Sequence, residues 1–423
     1  MKSTLSASTV TAAVLVAAGT MANAQELRFL CHADGNDCDT TLEIIQEFEA
    51  QNPGVSVTMD VVPYDTILKS LPVQLAAGSG PDFAKVNPPN DLNPFYLDLT
   101  PYVDVDYWET NFGSTLPWFR AGPEDNGIYG MMQQLTITGA YINKTLFDQA
   151  GIEPPAHGAS WEDWRAAARD VAEATGVPFP MALDRSGHRF AGPAISVGAK
   201  IFDDSGKPIL VDEAFTSFAQ NFVDWHNDGT FARDVWVGSG GSSYQDGSAE
   251  FLNSNLVYYF SGSWQVQRFS ENIGDAFDWV VVGSPCGDGG CTGMPGGPGI
   301  VGFNRTEHPE LVASLIDYLA QEEKYRQFTA KTLSVPAHAK VAADGVDYAG
   351  ATPEAAAALN GWGAEVERLS PVALQYQGYP NARALFNITL QRVSQAIVGE
   401  LTVAEAMDRA KADLDEALAA TEN

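Results

Sequence analysis

Residues 27–62 read LRFLCHADGNDCDTTLEIIQEFEAQNPGVSVTMDVV, and this stretch decides the fold. Residues 27–30 form a short apolar run fit for a strand. Thr40-Thr41-Leu42-Glu43 has the form of a capping box, in which the hydroxyl and the carboxylate satisfy orphan N–H groups, so it predicts a helix start. Leu42, Ile45, Phe48 and Glu49 then share one face, up to a stop at Asn52-Pro53-Gly54. Val55, Val57, Met59 and Val61 alternate with polar residues, as in a half-buried strand. Strand, helix and strand in this order seed an α/β lobe around a parallel pair of strands. Outward from the seed, a second helix is predicted at 64–77, stopped by Gly78-Ser79-Gly80-Pro81, and a strand at 82–86. Ligands of such sheets sit beyond the carboxyl ends of the strands, here 31–37, 62–65 and 87–91.

At 423 residues the chain is too long for one core, and two lobes are expected. A hydrophobic content of 45% with 10% aromatics excludes a disordered chain. The net charge of −30 argues against nucleic acid or an anionic membrane as partner and fits a solvated acidic surface. Lys2, the apolar run 9–18 and the small-x-small site Ala22-Asn23-Ala24 read as a cleavable export signal over 1–24. The run is too short to span a bilayer, and no cysteine follows the cut to carry a lipid. The mature chain is therefore expected in the periplasm, where chemistry proceeds without ATP.

Four cysteines form two local pairs, Cys31 with Cys38 and Cys286 with Cys291. Both can close in an oxidising compartment, and the Gly- and Asp-rich loops CHADGNDC and CGDGGC make closure easy. A metal site is the rival reading. It is weakened by spacing other than C-x-x-C and by the lack of an accompanying histidine pair. Neither metal nor cofactor is expected.

Further along, Ser160-Trp161-Glu162-Asp163 opens a helix with a box-like cap. Helices are also predicted at 212–228, 309–329, 382–398 and, capped by Thr402 and Glu405, 402–418. The glycine-rich stretches 238–247 and 287–299 read as loops or hinges. Gly297-Pro298-Gly299-Ile300-Val301-Gly302 matches G-x-G-x-x-G but runs into a strand-like segment instead of opening a helix, which argues against a dinucleotide site. Tyr258-Tyr259 fits a strand better than a metal-binding pair.

Several of these segments together resemble the extracellular solute-binding proteins of ABC importers, the group that includes maltose-binding protein. They are Leu75-Ala76-Ala77-Gly78-Ser79-Gly80-Pro81-Asp82, Tyr141-Ile142-Asn143-Lys144-Thr145-Leu146-Phe147 with Ala150-Gly151-Ile152 and Pro154-Pro155, Trp161-Glu162-Asp163, Phe251-Leu252-Asn253 leading to Gly262-Ser263-Trp264, Pro295-Gly296-Gly297, and Leu401-Thr402-Val403. The resemblance implies an α/β two-lobe fold (type II-like), each lobe a mixed sheet flanked by helices, with the ligand cleft between lobes. The lobes would be 25–135 plus 294–340, and 137–290 plus 341–423. It also implies a monomer that traps a sugar by hinge closure and delivers it to the membrane permease.

A sugar offers hydroxyls and flat apolar faces, so its site needs carboxylates, amides and aromatic rings. Trp264 is the first candidate, as the tryptophan of the resembling Gly-Ser-Trp segment. Tyr376 and Tyr379, in the turn-rich LQYQGYP, and Trp362, between glycines, are further rings. The loop after the first strand offers His32, Asp34, Asn36 and Asp37; the next strand end offers Asn87, Asn90 and Asp91; the first crossover offers Gln133, Gln134 and Thr136. His188 and Arg189 lie in what reads as a polar loop, and Arg189 could hold a uronic carboxylate bidentately. Each candidate has a structural competitor: core packing for the tryptophans, turn chemistry and capping for the polar residues. Two other functions stay open: a same-fold receptor for a polyamine, glycerol phosphate or metal, and a secreted glycoside hydrolase using two of the many carboxylates.

Overall fold

In the computed structural model, residues 25–122, 124–237, 244–348 and 350–421 are described. The expected export signal and most of the glycine-rich stretch 238–247 lie outside them. Among the described residues, ten strands form two sheets. They are β1 (Gln25–Cys31), β2 (Val55–Val61), β3 (Phe83–Val86), β4 (Gly130–Met132), β5 (Thr136–Asn143), β6 (Phe179–Leu183), β7 (Leu256–Gly262), β8 (Trp279–Gly283), β9 (Pro295–Gly296) and β10 (Gly299–Gly302).

The first sheet has the order β2-β1-β3-β10-β4. β1 runs parallel to β2 and β3, while β10 is antiparallel to β3 and β4. The second has the order β6-β7-β5-β8, with β9 extending β5. There β6 and β7 are parallel, and β5 is antiparallel to β7 and β8. Both sheets are mixed, as expected. The edge strand β2 keeps the predicted alternation as far as Asp60: Val55, Val57 and Met59 are half-buried, Ser56, Thr58 and Asp60 exposed, but Val61, expected on the apolar face, is exposed at the strand end.

Each sheet completes a core of its own. One core gathers Leu27 to Met132 with most of Ile300 to Val341; the other gathers Ile137 to Met294 with Val335 and Ala355 to Leu414. The chain passes from the first to the second between Met132 and Ile137, returns between Met294 and Ile300, touches the second at Val335 and leaves for it after Val341. The passages are tied side by side: Gln133 N–H donates to the Pro298 carbonyl, and Leu135 N–H to that of Val335, each at 2.9 Å. Gly297, at φ +138, sits so close that a Cβ there would overlap the Gln134 carbonyl.

Two predicted helix boundaries move. The helix Asp37–Gln51 starts a turn before the Thr40–Glu43 box. Asn36 is its N-cap, Thr40 N–H bonds the Asn36 carbonyl, and the Thr41 hydroxyl bonds back to Asp37. The Cys31–Cys38 disulfide shortens the loop, and Asp37 and Asp39 place negative charge in the first turn. The stretch 309–329 is two helices, Pro309–Ala320 and Glu322–Thr332. Gln321 is extended at ψ 138, and its carbonyl accepts from Tyr325 N–H to start the second. The other boxes hold. Ser160 and Asp163 exchange side chain-to-backbone bonds at 3.2 and 2.8 Å, and Thr402 and Glu405 do the same. Ser160→Ala and Thr402→Ala should each lower stability by about 1 kcal/mol in urea titration. An unchanged midpoint would show that these caps are not limiting.

Candidate ligand site between the two cores

Between the cores lies a cavity of about 970 Å³, its open mouth included. The first core contributes His32, Asp34, Tyr64, Leu68 and Asn87 to the wall; the second contributes Ser186 to Arg189, Tyr244, Trp264 and Arg383. The connecting passages add Thr136 and Gly296 to Pro298. This is the switch-point position expected of α/β sheets.

The first wall is built on one buried cation. Lys85, on β3, is fully buried. Its ammonium donates to the His32 carbonyl at 2.9 Å, lies 3.5 Å from Asp34 and pairs closely with Asp37. Burial works against its charge, but the two carboxylates outweigh burial and hold its pKa above the usual lysine value. The same charge, with His32, overcomes the effect of burial on Asp34 and keeps that carboxyl low. His32 is pushed down to about 3 by burial and then by Lys85, so its ring is neutral. It packs against Tyr64 with centroids 5.0 Å apart. The loop 31–37 is therefore held by a disulfide and an internal ion cluster, with Asp34 left facing the cavity.

The second wall rests on Asp184, at the end of β6. Its carboxylate accepts from the hydroxyls of Tyr259 and Ser261 at 2.6 Å, from Gly247 N–H at 3.0 Å and from the Tyr244 hydroxyl at 3.3 Å. Burial, then repulsion by Asp246, raises its pKa to about 6. Ser186 caps the helix Gly187–Ser196. His188 and Arg189 thus occupy a helix's first turn, where the sequence reads as a loop. His188 Nε2 faces the Pro295 carbonyl at 2.9 Å, so that nitrogen carries the proton; burial, then Arg189, lowers its pKa to about 3. The Arg189 guanidinium lies 4.4 Å from the Trp264 ring centroid and 4.9 Å from that of Tyr244.

Polar contacts join the walls. Arg383 pairs with Asp91 and donates to the Asn87 carbonyl, which also accepts from the Tyr64 hydroxyl. Asn90 donates to the Tyr379 and Gln377 carbonyls at 2.7 and 3.3 Å. The rings of Tyr64 and Tyr244 meet edge-on at 6.3 Å.

Of the expected ligand residues, Trp264, His32, Asp34, Asn87, Thr136, His188 and Arg189 line this cavity. Gln134 lines a smaller adjoining space of about 280 Å³, which shares Asp34 and Trp264. The others lie elsewhere. Trp362 is fully buried in the helix Pro353–Val366, and its indole donates to the Tyr141 hydroxyl at 3.0 Å. LQYQGYP is mostly helix, not turn, which turns Tyr376 into the core against Phe386 and leaves Tyr379 on Phe202. Asn36 caps a helix and donates to the Lys331 carbonyl, and Asn90 spends its amide on the wall-to-wall bonds. The sequence reading missed Tyr64, Lys85, Tyr244 and Arg383. Tyr64 lies within the expected strand-end segment 62–65, so its position was available. Both cysteine pairs are bonded. Among the described residues no group of three or more His, Cys, Asp or Glu could hold a metal ion.

The profile of the bacterial extracellular solute-binding proteins matches residues 36–326, more than half of the chain. The chain belongs to this family. It is 24% identical over 285 residues to the arabinooligosaccharide-binding protein of Halalkalibacterium halodurans, covering 64% of this chain and 61% of that one. In structure it is similar to an ABC substrate-binding protein from Listeria monocytogenes in complex with cycloalternan, with TM-score 0.77, 19% identity, and coverage of 93% and 99%. Maltose-bound MalE3 of T. maritima is similar at TM-score 0.76, 17% identity and the same coverage. Likeness at these identities shows the shared two-lobe α/β fold. Lys85→Met leaves the buried Asp37 without its cation. Chemical unfolding should show a loss of about 3–5 kcal/mol, and an unchanged midpoint would contradict the role of the ion cluster.

Proposed function

We propose that this protein is the periplasmic sugar-binding component of an ABC importer. It captures a saccharide between two lobes, 25–135 plus 294–340 and 137–290 plus 341–423, and delivers it to the membrane permease. The carrying observation is the composition of the cavity between two separately cored sheets. Trp264 offers an apolar ring beside carboxylate, amide and guanidinium groups at Asp34, Asn87, Asn387 and Arg383. That mixture matches the alternating faces and hydroxyls of a sugar. Relatives named for arabinooligosaccharide, or holding cycloalternan and maltose, support the ligand class.

In this reading the protein is a monomer without catalytic turnover. It is exported by a signal cut before Gln25 and carries no lipid. The closed form, read by the permease, is favoured only through contacts that ligand makes to both walls at once. The test is a thermal-shift screen of the mature chain against saccharides, polyols, polyamines and metal ions. Ligand at about 100 times its Kd adds about 2.7 kcal/mol, enough to raise the melting temperature clearly. One class of saccharide should give the shift, with no product formed, and Trp264→Ala should abolish it. A shift only with a polyamine or a metal, or release of reducing ends from an oligosaccharide, would contradict the proposal.

A further inference from the structure

The cations around the cavity are nearly all paired. Lys85 lies against both Asp34 and Asp37, which leaves one carboxylate charge in excess there, Arg383 pairs with Asp91, and Arg268 with Asp246 at 3.3 Å. Arg189 differs. Among the described residues no carboxylate lies within ion-pair distance of its guanidinium, and its Nε is buried with no hydrogen-bond partner. Asp184 feels the charge of Arg189 but forms no ion pair with it, and its oxygens accept from Tyr259, Ser261 and Gly247. Arg189 also stands in the first turn of a ten-residue helix, where the helix dipole disfavours a cation. A chain with 54 acidic against 24 basic residues has carboxylates to spare. It nonetheless leaves this arginine unpaired in the wall of its main cavity.

Trp264 and Tyr244 hold the guanidinium through its π-face, an interaction that leaves the N–H edges unspent. A planar N–H fork matches a carboxylate in two parallel bonds. We propose that the saccharide taken by this site is acidic, a uronic-acid sugar whose carboxylate is held by Arg189. The inference rests on the sugar-binding reading above and narrows its ligand class. Trp264 would then fix the arginine as well as flank the sugar, and Asp34 and Asn87 on the opposite wall would take hydroxyls.

The test is isothermal titration calorimetry of the mature chain with matched pairs. Galacturonate, glucuronate, mannuronate and their disaccharides are compared with galactose, glucose, mannose and the matching neutral disaccharides. Succinate and galactose 1-phosphate serve as non-sugar acid and sugar phosphate. One uronate should bind roughly 30-fold or more tightly than its neutral counterpart, the ratio expected when a buried charge pair forms. Arg189→Gln should erase that ratio, and Arg189→Lys, which keeps the charge but loses the fork, should recover part of it. The wild-type ratio stands even if Arg189→Gln fails to fold. A neutral sugar bound as tightly as its uronate overturns the inference and leaves the sugar receptor standing. Succinate or galactose 1-phosphate bound as tightly as any uronate overturns the uronate assignment. Binding of no saccharide from either set overturns this inference and the sugar-binding reading together.

Discussion

Each sheet closes its own hydrophobic core, so the space between them is left to side chains that neither core can use. That constraint organises the molecule. Aromatic packing fills the second core, where Phe190, Phe218, Phe222, Trp225 and Trp236 form a continuous cluster. A compact apolar set around Phe29, Phe83 and Tyr325 fills the first. Only short passages of chain connect the two, and they are tied by backbone bonds at Gln133 and Leu135. In the proposed closure, a small change of backbone angle there would swing one core against the other without disturbing the packing of either.

The cavity walls are stiffened by buried ionic and hydrogen-bonded clusters rather than by apolar packing. Lys85 beneath the 31–37 loop and Asp184 beneath Tyr244 play parallel parts on opposite walls. Each is a buried charge that spends its bonding capacity on the segment presenting a cavity residue. Burial of such charges is costly unless partners are supplied, and both sites supply them within hydrogen-bond distance. The wall-to-wall contacts of Arg383, Asn90 and Tyr64 are of another kind. They are polar bonds between the two sides, with Asn90 buried and Arg383 and Tyr64 partly buried, and in the proposed opening water would replace them.

Much of the fold was legible in local sequence, because strand alternation, capping boxes and glycine stops act over a few residues. β1, β2, the Ser160 and Thr402 helix starts and the strand after Gly297 all follow from such signals. The Thr40 box misled because the helix begins at Asp37, whose carboxylate pairs with Lys85 on a strand far along the chain, a partner that local sequence does not show. The site was legible where a candidate sat at a strand end: Asp34 and Asn87 line the cavity, and so does Trp264 after β7. It was not legible where burial decided. Trp362 and Tyr376 are aromatic residues near glycines, and nothing local shows that their helices turn them inward. Tyr244 and Arg383 reach the cavity only because segments far apart in the chain converge, which one sequence does not display.

The central claim is that two lobes close on one saccharide. Small-angle X-ray scattering of the mature chain, with and without the saccharide it binds, tests it most directly. The account predicts a smaller radius of gyration with the bound saccharide and no change with one that does not bind. An unchanged radius at saturating ligand would contradict closure around the cavity.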